Sequence, residues 1–179
     1  MLVSEANVPN YKCSDEVYNN YRKTALLAAL PVTQKRKLYV AGPWFDDRAK
    51  NFMEDVKKVF EAYEPVSAWE PYFPMDHTKD TPYDTFLDNV NQIRDCDAVL
   101  AIISSKDVGT SFEIGFARGL GRRIFILTFD ETCYLSKTNI MLAYSTDNRI
   151  ALKNLGKFVT DQLSYSDYIK IDNNWENKE

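Results

Sequence analysis

The feature that most constrains the fold is a run of six apolar residues, Ala98–Ile103, followed directly by a polar turn. A short apolar run without alternation is typical of a strand buried on both faces, as in parallel sheets. The turn contains Asp107 and Gly109, and Glu113 follows shortly after. Open α/β sheets bind their ligands at the carboxyl ends of such strands. The sequence therefore predicts a central strand that brings two carboxylates to a ligand-binding edge.

Apolar runs and helical periodicities alternate along much of the remaining chain. This alternation is typical of a doubly wound α/β domain, and we predict a flavodoxin-like, five-stranded parallel sheet with flanking helices, although sequence does not fix the strand order. The other predicted strands are Leu38–Ala41, Val66–Trp69, Ile124–Thr128 and Arg149–Leu152. The predicted helices are Asp46–Tyr63, Pro82–Asp95, Thr110–Leu120, Lys137–Tyr144 and Lys153–Leu163.

Composition changes at both ends of this alternating region. Residues 1–36 are polar and rich in Asn, Tyr and Lys, with a predicted helix over Asp15–Leu30 that Pro31 stops. We expect them to form an N-terminal extension. Residues 37–164 form the predicted catalytic domain, and residues 165–179 form a polar C-terminal tail.

Charge and residue usage exclude several functional classes. The 22 basic and 26 acidic residues give a net charge of −4, so the chain lacks the basic surface of a nucleic-acid-binding protein. One histidine and three widely spaced cysteines offer neither a metal site nor a disulfide framework. No apolar run reaches the roughly 18 residues of a membrane span. We expect a cytoplasmic protein without metal, membrane or nucleic-acid partners.

Two interpretations of Glu113 compete. The sequence Thr110-Ser111-Phe112-Glu113 matches a capping box, in which the glutamate accepts a hydrogen bond from the N-cap amide. In the alternative, a carboxylate in the first helical turn stays ionised in the helix dipole and acts as a nucleophile. The local pattern alone favours the capping box.

Asp107 also has a structural and a chemical interpretation. A loop aspartate often accepts a local hydrogen bond from the turn that follows it. Alternatively, Asp107 acts as a proton donor to a leaving group, because one acid of a close pair of carboxylates keeps its proton. Gly109 would allow a tight turn and leave room for a ligand.

The turn after the first predicted strand reads Gly42-Pro43-Trp44-Phe45. It matches neither a dinucleotide-binding fingerprint nor a P-loop. Its two aromatic residues could stack on a planar base, or they could simply fill the core.

Three separated stretches carry a resemblance to a known family. They are Tyr-Val-Ala-Gly-Pro-Trp-Phe at 39–45, Asp-Val-Gly-Thr-Ser-Phe-Glu-Ile-Gly at 107–115, and Asn-Ile-Met at 139–141. With these stretches at these separations, the chain resembles the nucleoside 2-deoxyribosyltransferases over Lys37–Leu155. The resemblance shifts the balance for Glu113 from a cap toward a nucleophile.

The resemblance implies specific roles. Glu113 would attack the anomeric carbon and form a covalent deoxyribosyl-enzyme, Asp107 would help to protonate the leaving base, and Tyr39 would orient the nucleophile. Phe45 and Asn89 would lie at the base, whereas Asn139 and Met141 would be lent by a neighbouring subunit. The expected substrate-binding residues are Phe45, Gly42, Trp44, Asn89, Gly109, Asn139 and Met141.

The implied reaction moves 2-deoxyribose between nucleobases and requires no cofactor. Its reactants would be a 2′-deoxynucleoside and a free nucleobase, and the protein would be a homo-oligomer, a dimer or hexamer with shared active sites. The first alternative is a hydrolase acting on deoxynucleosides or their 5′-monophosphates. The second is a non-catalytic nucleotide-binding module, because a fold alone does not fix a function.

Overall fold

The computed structural model of the chain describes residues 34–45, 47–103, 107–128 and 140–168. Within them lies one five-stranded sheet in the order β2-β1-β3-β4-β5, with every neighbouring pair parallel. This confirms the predicted flavodoxin-like architecture and the central place of β3. The strands are β1 (Arg36–Ala41), β2 (Trp69–Tyr72), β3 (Ala98–Ile102), β4 (Arg123–Thr128) and β5 (Asn148–Ala151).

Helices cover both faces of the sheet. The described helices are α1 (Asp47–Ala62), α2 (Pro82–Asp95), α3 (Val108–Gly119), α4 (Ile140–Tyr144) and α5 (Leu155–Val159). Short 3-10 segments lie at Glu64–Val66, Pro74–His77, Leu152–Asn154 and Tyr165–Asp167. As predicted, Thr81 caps α2: its hydroxyl accepts a hydrogen bond from the Asp84 amide, and Pro82 opens the helix.

The sheet separates two hydrophobic cores, and alternation along β1 shows the division. Leu38 and Val40 point into the core beneath α1 and α5. Tyr39 and Ala41 point into the core that α2 and α3 cover. The period-2 alternation of a strand therefore places Tyr39 on the face to which α3 contributes its side chains.

The strand order reverses between β1 and β3. Ligands bind at such a switch point in open α/β sheets, because the connections leave in opposite directions and open a crevice. The turn 42–45 follows β1, and α3 follows β3. The candidate residues on both segments therefore meet at one edge.

Two predicted elements were placed wrongly. The strand predicted at Val66–Trp69 begins only at Trp69, because Val66 belongs to a 3-10 turn over Glu64–Val66 that has Pro65 as its second residue. Pro71 fits within β2 because this is an edge strand, paired only with β1.

The last predicted helix is shorter than expected. It ends at Val159, beyond which Asp161 adopts a positive φ of 57°. The predicted helix at Asp15–Leu30 lies outside the described residues. Among the helices that the structure describes, none combines the length and the hydropathy that a membrane span requires.

Candidate active site

A short hydrogen bond joins β1 to α3 at the centre of the site. The Tyr39 hydroxyl donates to Oε1 of Glu113 at 2.6 Å. Tyr39 is fully buried, and Glu113 is half-buried. Residues 74 positions apart in the sequence are thus brought into direct contact, and a buried phenol fixes one carboxylate oxygen.

Glu113 does not form the predicted capping box. The helix begins at Val108, so Glu113 lies in its second turn, and the N-cap is Asp107 rather than Thr110. The glutamate therefore points to Tyr39 instead of back to the start of the helix. The sequence pattern misled because Asp107, three residues earlier, is itself a strong N-cap residue.

Asp107 makes the local hydrogen bonds of an N-cap. Its Oδ2 accepts from the Thr110 amide at 2.6 Å and from the Thr110 hydroxyl at 2.5 Å, and its Oδ1 accepts from the Gly109 amide at 3.3 Å. The structural interpretation of Asp107 is thus confirmed. Its negative charge also acts on Glu113, so the two carboxylates interact electrostatically.

Burial governs the electrostatics of the pair formed by Tyr39 and Glu113. Removal from water raises the pKa of Glu113 to about 7, the Tyr39 hydrogen bond opposes this rise, and the charge of Asp107 adds to it. Burial, with Glu113 close by, raises the pKa of Tyr39 far above its usual range. Glu113 also lies in the second turn of its helix, so the first-turn position on which the expected effect of the helix dipole depended was wrong.

Sequence reasoning missed a second layer behind Tyr39. The Tyr72 ring stacks on that of Tyr39, with centroids 5.7 Å apart and planes 18° apart. The Tyr72 hydroxyl donates to Oδ2 of Asp88 at 2.9 Å, and Lys79 Nζ lies 3.2 Å from the same oxygen. His77 stacks on Tyr72 with centroids 4.5 Å apart. The pairing of β1 with β2 places Tyr72 beside Tyr39. This neighbour was not predicted from the sequence because the predicted strand ended at Trp69, before Tyr72.

A polar cleft of about 500 Å³ reaches this layer from the surface. Lys79 and Asp88 contribute to its wall. The other lining residues are Thr78, Asp80, Asp84, Leu87 and Asn91.

The aromatic residues of the turn after β1 have different environments. Trp44 is buried in the α1-side core with 9% exposure, so the core-filling interpretation holds for it. Phe45 is 83% exposed and offers a free ring face at the sheet edge. Gly42 is needed for packing, because a Cβ there would lie 2.6 Å from Sδ of the buried Met53.

The remaining predicted residues are distributed unevenly. Gly109 is the second residue of α3 and does not adopt a positive φ, so the tight turn predicted for it is absent. Asn89 is half-buried on α2, and its buried Oδ1 accepts no hydrogen bond from the part of the chain that is described. Met141 is 72% exposed on α4. Asn139 lies outside the described residues.

The donor chemistry of this edge consists of carboxylates, hydroxyls and aromatic rings. Within the described segments, no group of three or more His, Cys, Asp or Glu side chains could hold a metal ion. Glu113 can therefore act as a nucleophile or a base, and the buried Tyr39 hydroxyl holds it in place.

Comparison with known proteins identifies the family. The sequence profile described as "Nucleoside 2-deoxyribosyltransferase" matches residues 38–169, well over half of the chain. The chain belongs to the nucleoside 2-deoxyribosyltransferase family. It is therefore an enzyme of a family that acts on deoxynucleosides and nucleobases, by deoxyribosyl transfer or a related N-glycosidase reaction.

Individual relatives are distant. A nucleoside deoxyribosyltransferase from Lactobacillus leichmannii is 23% identical over 141 residues, which cover 69% of this chain and 89% of the relative. The solved 2-deoxyribosyltransferase of Bacillus psychrosaccharolyticus is 19% identical with a TM-score of 0.53, covering 66% of this chain and 88% of that one. This structural similarity shows the shared fold.

A further solved structure is a Clostridium botulinum CMP N-glycosidase. It is 21% identical to this chain, with a TM-score of 0.47, and the match covers 70% of this chain and 97% of the other.

Proposed function

We propose that this enzyme transfers 2-deoxyribose between nucleobases, with Glu113 as the nucleophile. The observation that carries the proposal is the hydrogen bond from the buried Tyr39 hydroxyl to Glu113 Oε1, at the switch point of the sheet. A nucleophilic carboxylate needs a partner that orients it and favours its charged form. Tyr39 supplies both, since its hydrogen bond lowers the pKa of Glu113 against the effect of burial.

The chemistry then proceeds by double displacement. Tyr39 occupies Oε1, so Oε2 of Glu113 attacks the anomeric carbon and the N-glycosidic bond breaks, with its electron pair leaving on the base nitrogen. The base takes up a proton as it departs, which leaves a deoxyribosyl ester on Glu113. A second base attacks the same carbon, loses its proton and frees the carboxylate. Two inversions give net retention, and the scheme balances without a cofactor.

The ionisation of Glu113 suits this chemistry near neutral pH. A pKa of about 7 leaves about half of the molecules with a carboxylate at pH 7. The proportion rises above neutrality, so activity should increase through this range on the acidic side of its profile.

We propose that Asp107 combines its capping role with proton donation to the leaving base. In support, it stands at the start of the same helix, and its Oδ1 accepts only a long hydrogen bond of 3.3 Å from the Gly109 amide, which leaves that oxygen able to carry a proton. Phe45 would stack on the base, and the unsatisfied Oδ1 of Asn89 would accept an N–H of the base. A base that presents an N–H toward α2 would thus be preferred.

A hydrolase is the second candidate. A pKa close to the working pH is also what a general base needs, and the pKa of Glu113 meets that condition. In this reaction water would take the place of the incoming base, and free deoxyribose would accumulate.

We further propose that the enzyme is a homo-oligomer with shared sites. The supporting observation is an aromatic face, formed by Phe86 on α2 and by Phe112 and Phe116 on α3. Phe112 lies with its ring centroid 6.3 Å from that of Phe86 and 6.0 Å from that of Phe116. Phe86 and Phe112 are about half exposed, and exposed apolar patches of this kind mark interfaces. A neighbouring copy on this face would lie next to Glu113 and could contribute Asn139 and Met141.

One assay tests the reaction. The protein is incubated with a 2′-deoxynucleoside, with and without a different free base, and the products are separated by chromatography. A new nucleoside formed only with the added base supports transfer, and free sugar in both arms supports hydrolysis. Glu113→Ala should abolish either product, so substantial turnover by that variant would refute the assignment of the nucleophile.

Light scattering tests the assembly. Phe86→Glu places a charge on the aromatic face and should give monomers with reduced activity. Tyr165→Glu adds the same charge at a solvent-facing position outside that face and should leave the mass unchanged. A wild-type protein that is already monomeric would overturn this part of the proposal.

A further inference from the structure

We propose that Tyr72 and Asp88 are positioning residues that hold Tyr39 in line for its hydrogen bond to Glu113. This inference rests on the proposed function. Neither residue is among those to which the family resemblance gave a role, and neither is among the residues proposed to contact the substrate.

The need for such a pair follows from the situation of Tyr39. Its hydroxyl is committed to Glu113, so the direction of that bond depends on how the ring is held. The other buried side chains of the α2- and α3-side core around it are small or aliphatic, such as Ala41 and Ile114, and the partly buried Phe116 also packs against this core. The stacked aromatic partner is Tyr72, whose plane lies 18° from that of Tyr39. The angle of the Tyr39 ring is thus set largely by the angle of the Tyr72 ring.

Tyr72 is in turn fixed at its outer end. It is the last residue of the edge strand β2, where backbone pairing exists on one side only. Its hydroxyl is tied to Oδ2 of Asp88 on α2 at 2.9 Å. Lys79 Nζ meets the same oxygen, and these two contacts hold the pKa of Asp88 below its usual range. The ionised carboxylate is a strong acceptor, so the Tyr72 anchor is a charge-assisted hydrogen bond.

The pair therefore links a surface ion pair to the nucleophile through two stacked rings. A shift of Asp88 or Tyr72 would tilt the Tyr39 ring and lengthen its hydrogen bond to Glu113. The expected consequence is a chemical one, because small displacements of a positioned group cost far more in rate than in substrate binding. It would also be visible without substrate, because the Tyr39 hydrogen bond is what lowers the pKa of Glu113.

The experiment is a double-mutant cycle with two readouts. The variants are Tyr72→Leu, which removes the stack, Tyr72→Phe, which removes only the anchor, Tyr39→Phe alone, and each Tyr72 variant combined with Tyr39→Phe. The readouts are the steady-state kinetics and the pKa of Glu113, followed by carbon NMR of labelled glutamate and assigned with Glu113→Gln. Phe73→Leu is the matched control, since Phe73 is the next residue but points into the opposite core.

We expect Tyr72→Leu to lower kcat about tenfold with KM nearly unchanged, and Tyr72→Phe to lower it by roughly two- to tenfold. Both should raise the pKa of Glu113. In the Tyr39→Phe background neither should change kcat or that pKa further, because the bond they support is gone. Phe73→Leu should lower stability and leave the pKa of Glu113 in place.

Additive effects in the cycle, or an unmoved Glu113 pKa in the Tyr72 variants, would overturn the positioning role. Should Tyr72→Leu not fold, Tyr72→Phe and Asp88→Asn keep the inference testable. Turnover by Glu113→Gln would instead refute the proposed function, and the NMR titration would still decide the positioning role by itself.

Discussion

Replacing Glu113 by glutamine should stabilise the folded chain at pH 8 while abolishing its activity. Glutamine keeps the size of the side chain, and its amide oxygen can still accept the Tyr39 hydrogen bond. What it removes is a negative charge that burial disfavours, as the raised pKa of Glu113 records. The substitution thus separates the contribution of the carboxylate to activity from its destabilising effect on the folded state.

The magnitude follows from the pKa. A rise from 4.5 to about 7 corresponds to about 3.4 kcal/mol of unfolding free energy, at about 1.36 kcal/mol per pH unit. Glu113 is half-buried, and solvent screening reduces this value, so we expect about 1.5 kcal/mol at pH 8. For a chain of this size the gain corresponds to roughly 3–6 °C in Tm.

The pH dependence has a definite direction. Because the pKa of Glu113 is raised in the folded state, the folded protein binds more protons than the unfolded chain between pH 4.5 and about 7. The wild-type protein is thus penalised progressively as the pH rises through that window. The advantage of Glu113→Gln should shrink to below about 0.5 kcal/mol at pH 5.

The assay is urea unfolding of both proteins at pH 5 and pH 8, followed by circular dichroism. Glu61→Gln removes the same charge from an exposed position on α1 and should show no such dependence on pH. If Glu113→Gln were no more stable than wild type at pH 8, or if its advantage were equal at both values, the buried charge would not be the cause and this reasoning would fail.

Three further predictions concern the same helix and its partner. Tyr39→Phe removes the hydrogen bond that lowers the pKa of Glu113, so the acidic limb of kcat/KM should move to higher pH; an unchanged limb would argue against that bond. Asp107→Asn keeps the N-cap and should retain stability, whereas Asp107→Ala should lose about 1 kcal/mol in urea unfolding. If Asp107 donates the proton, both variants lose activity; an active Asp107→Asn variant would show that Asp107 serves only as the N-cap. Gly121→Ala should lower Tm by roughly 2–4 °C, because Gly121 has φ 73° in the turn after α3; Gly119→Ala, where a Cβ meets no atom within 4 Å, should cause no comparable loss.

The fold could be predicted from sequence because its signals are local. A strand buried on both faces must be continuously apolar, as Ala98–Ile102 is. The start of a helix such as α2 can be predicted from its N-cap residue and the proline that follows it. Predictions failed where neighbouring signals competed. Asp107 displaced the capping box at Thr110, and Pro65 moved the start of β2 toward the C-terminus.

The sequence by itself determined the alternation of strands and helices, the residue types available for catalysis and the family resemblance. The resemblance implied that Tyr39 orients Glu113, and the tertiary structure added the geometry of that hydrogen bond. Only the tertiary structure decided that Tyr72 and Asp88 stand behind this pair, and that Trp44 is core while Phe45 is exposed. It also decided the ionisation of Glu113, whose raised pKa comes from burial. The physical reason is that strand pairing and burial are set by contacts between residues far apart in the chain, and no local pattern encodes the amount of water that such contacts leave around a carboxylate.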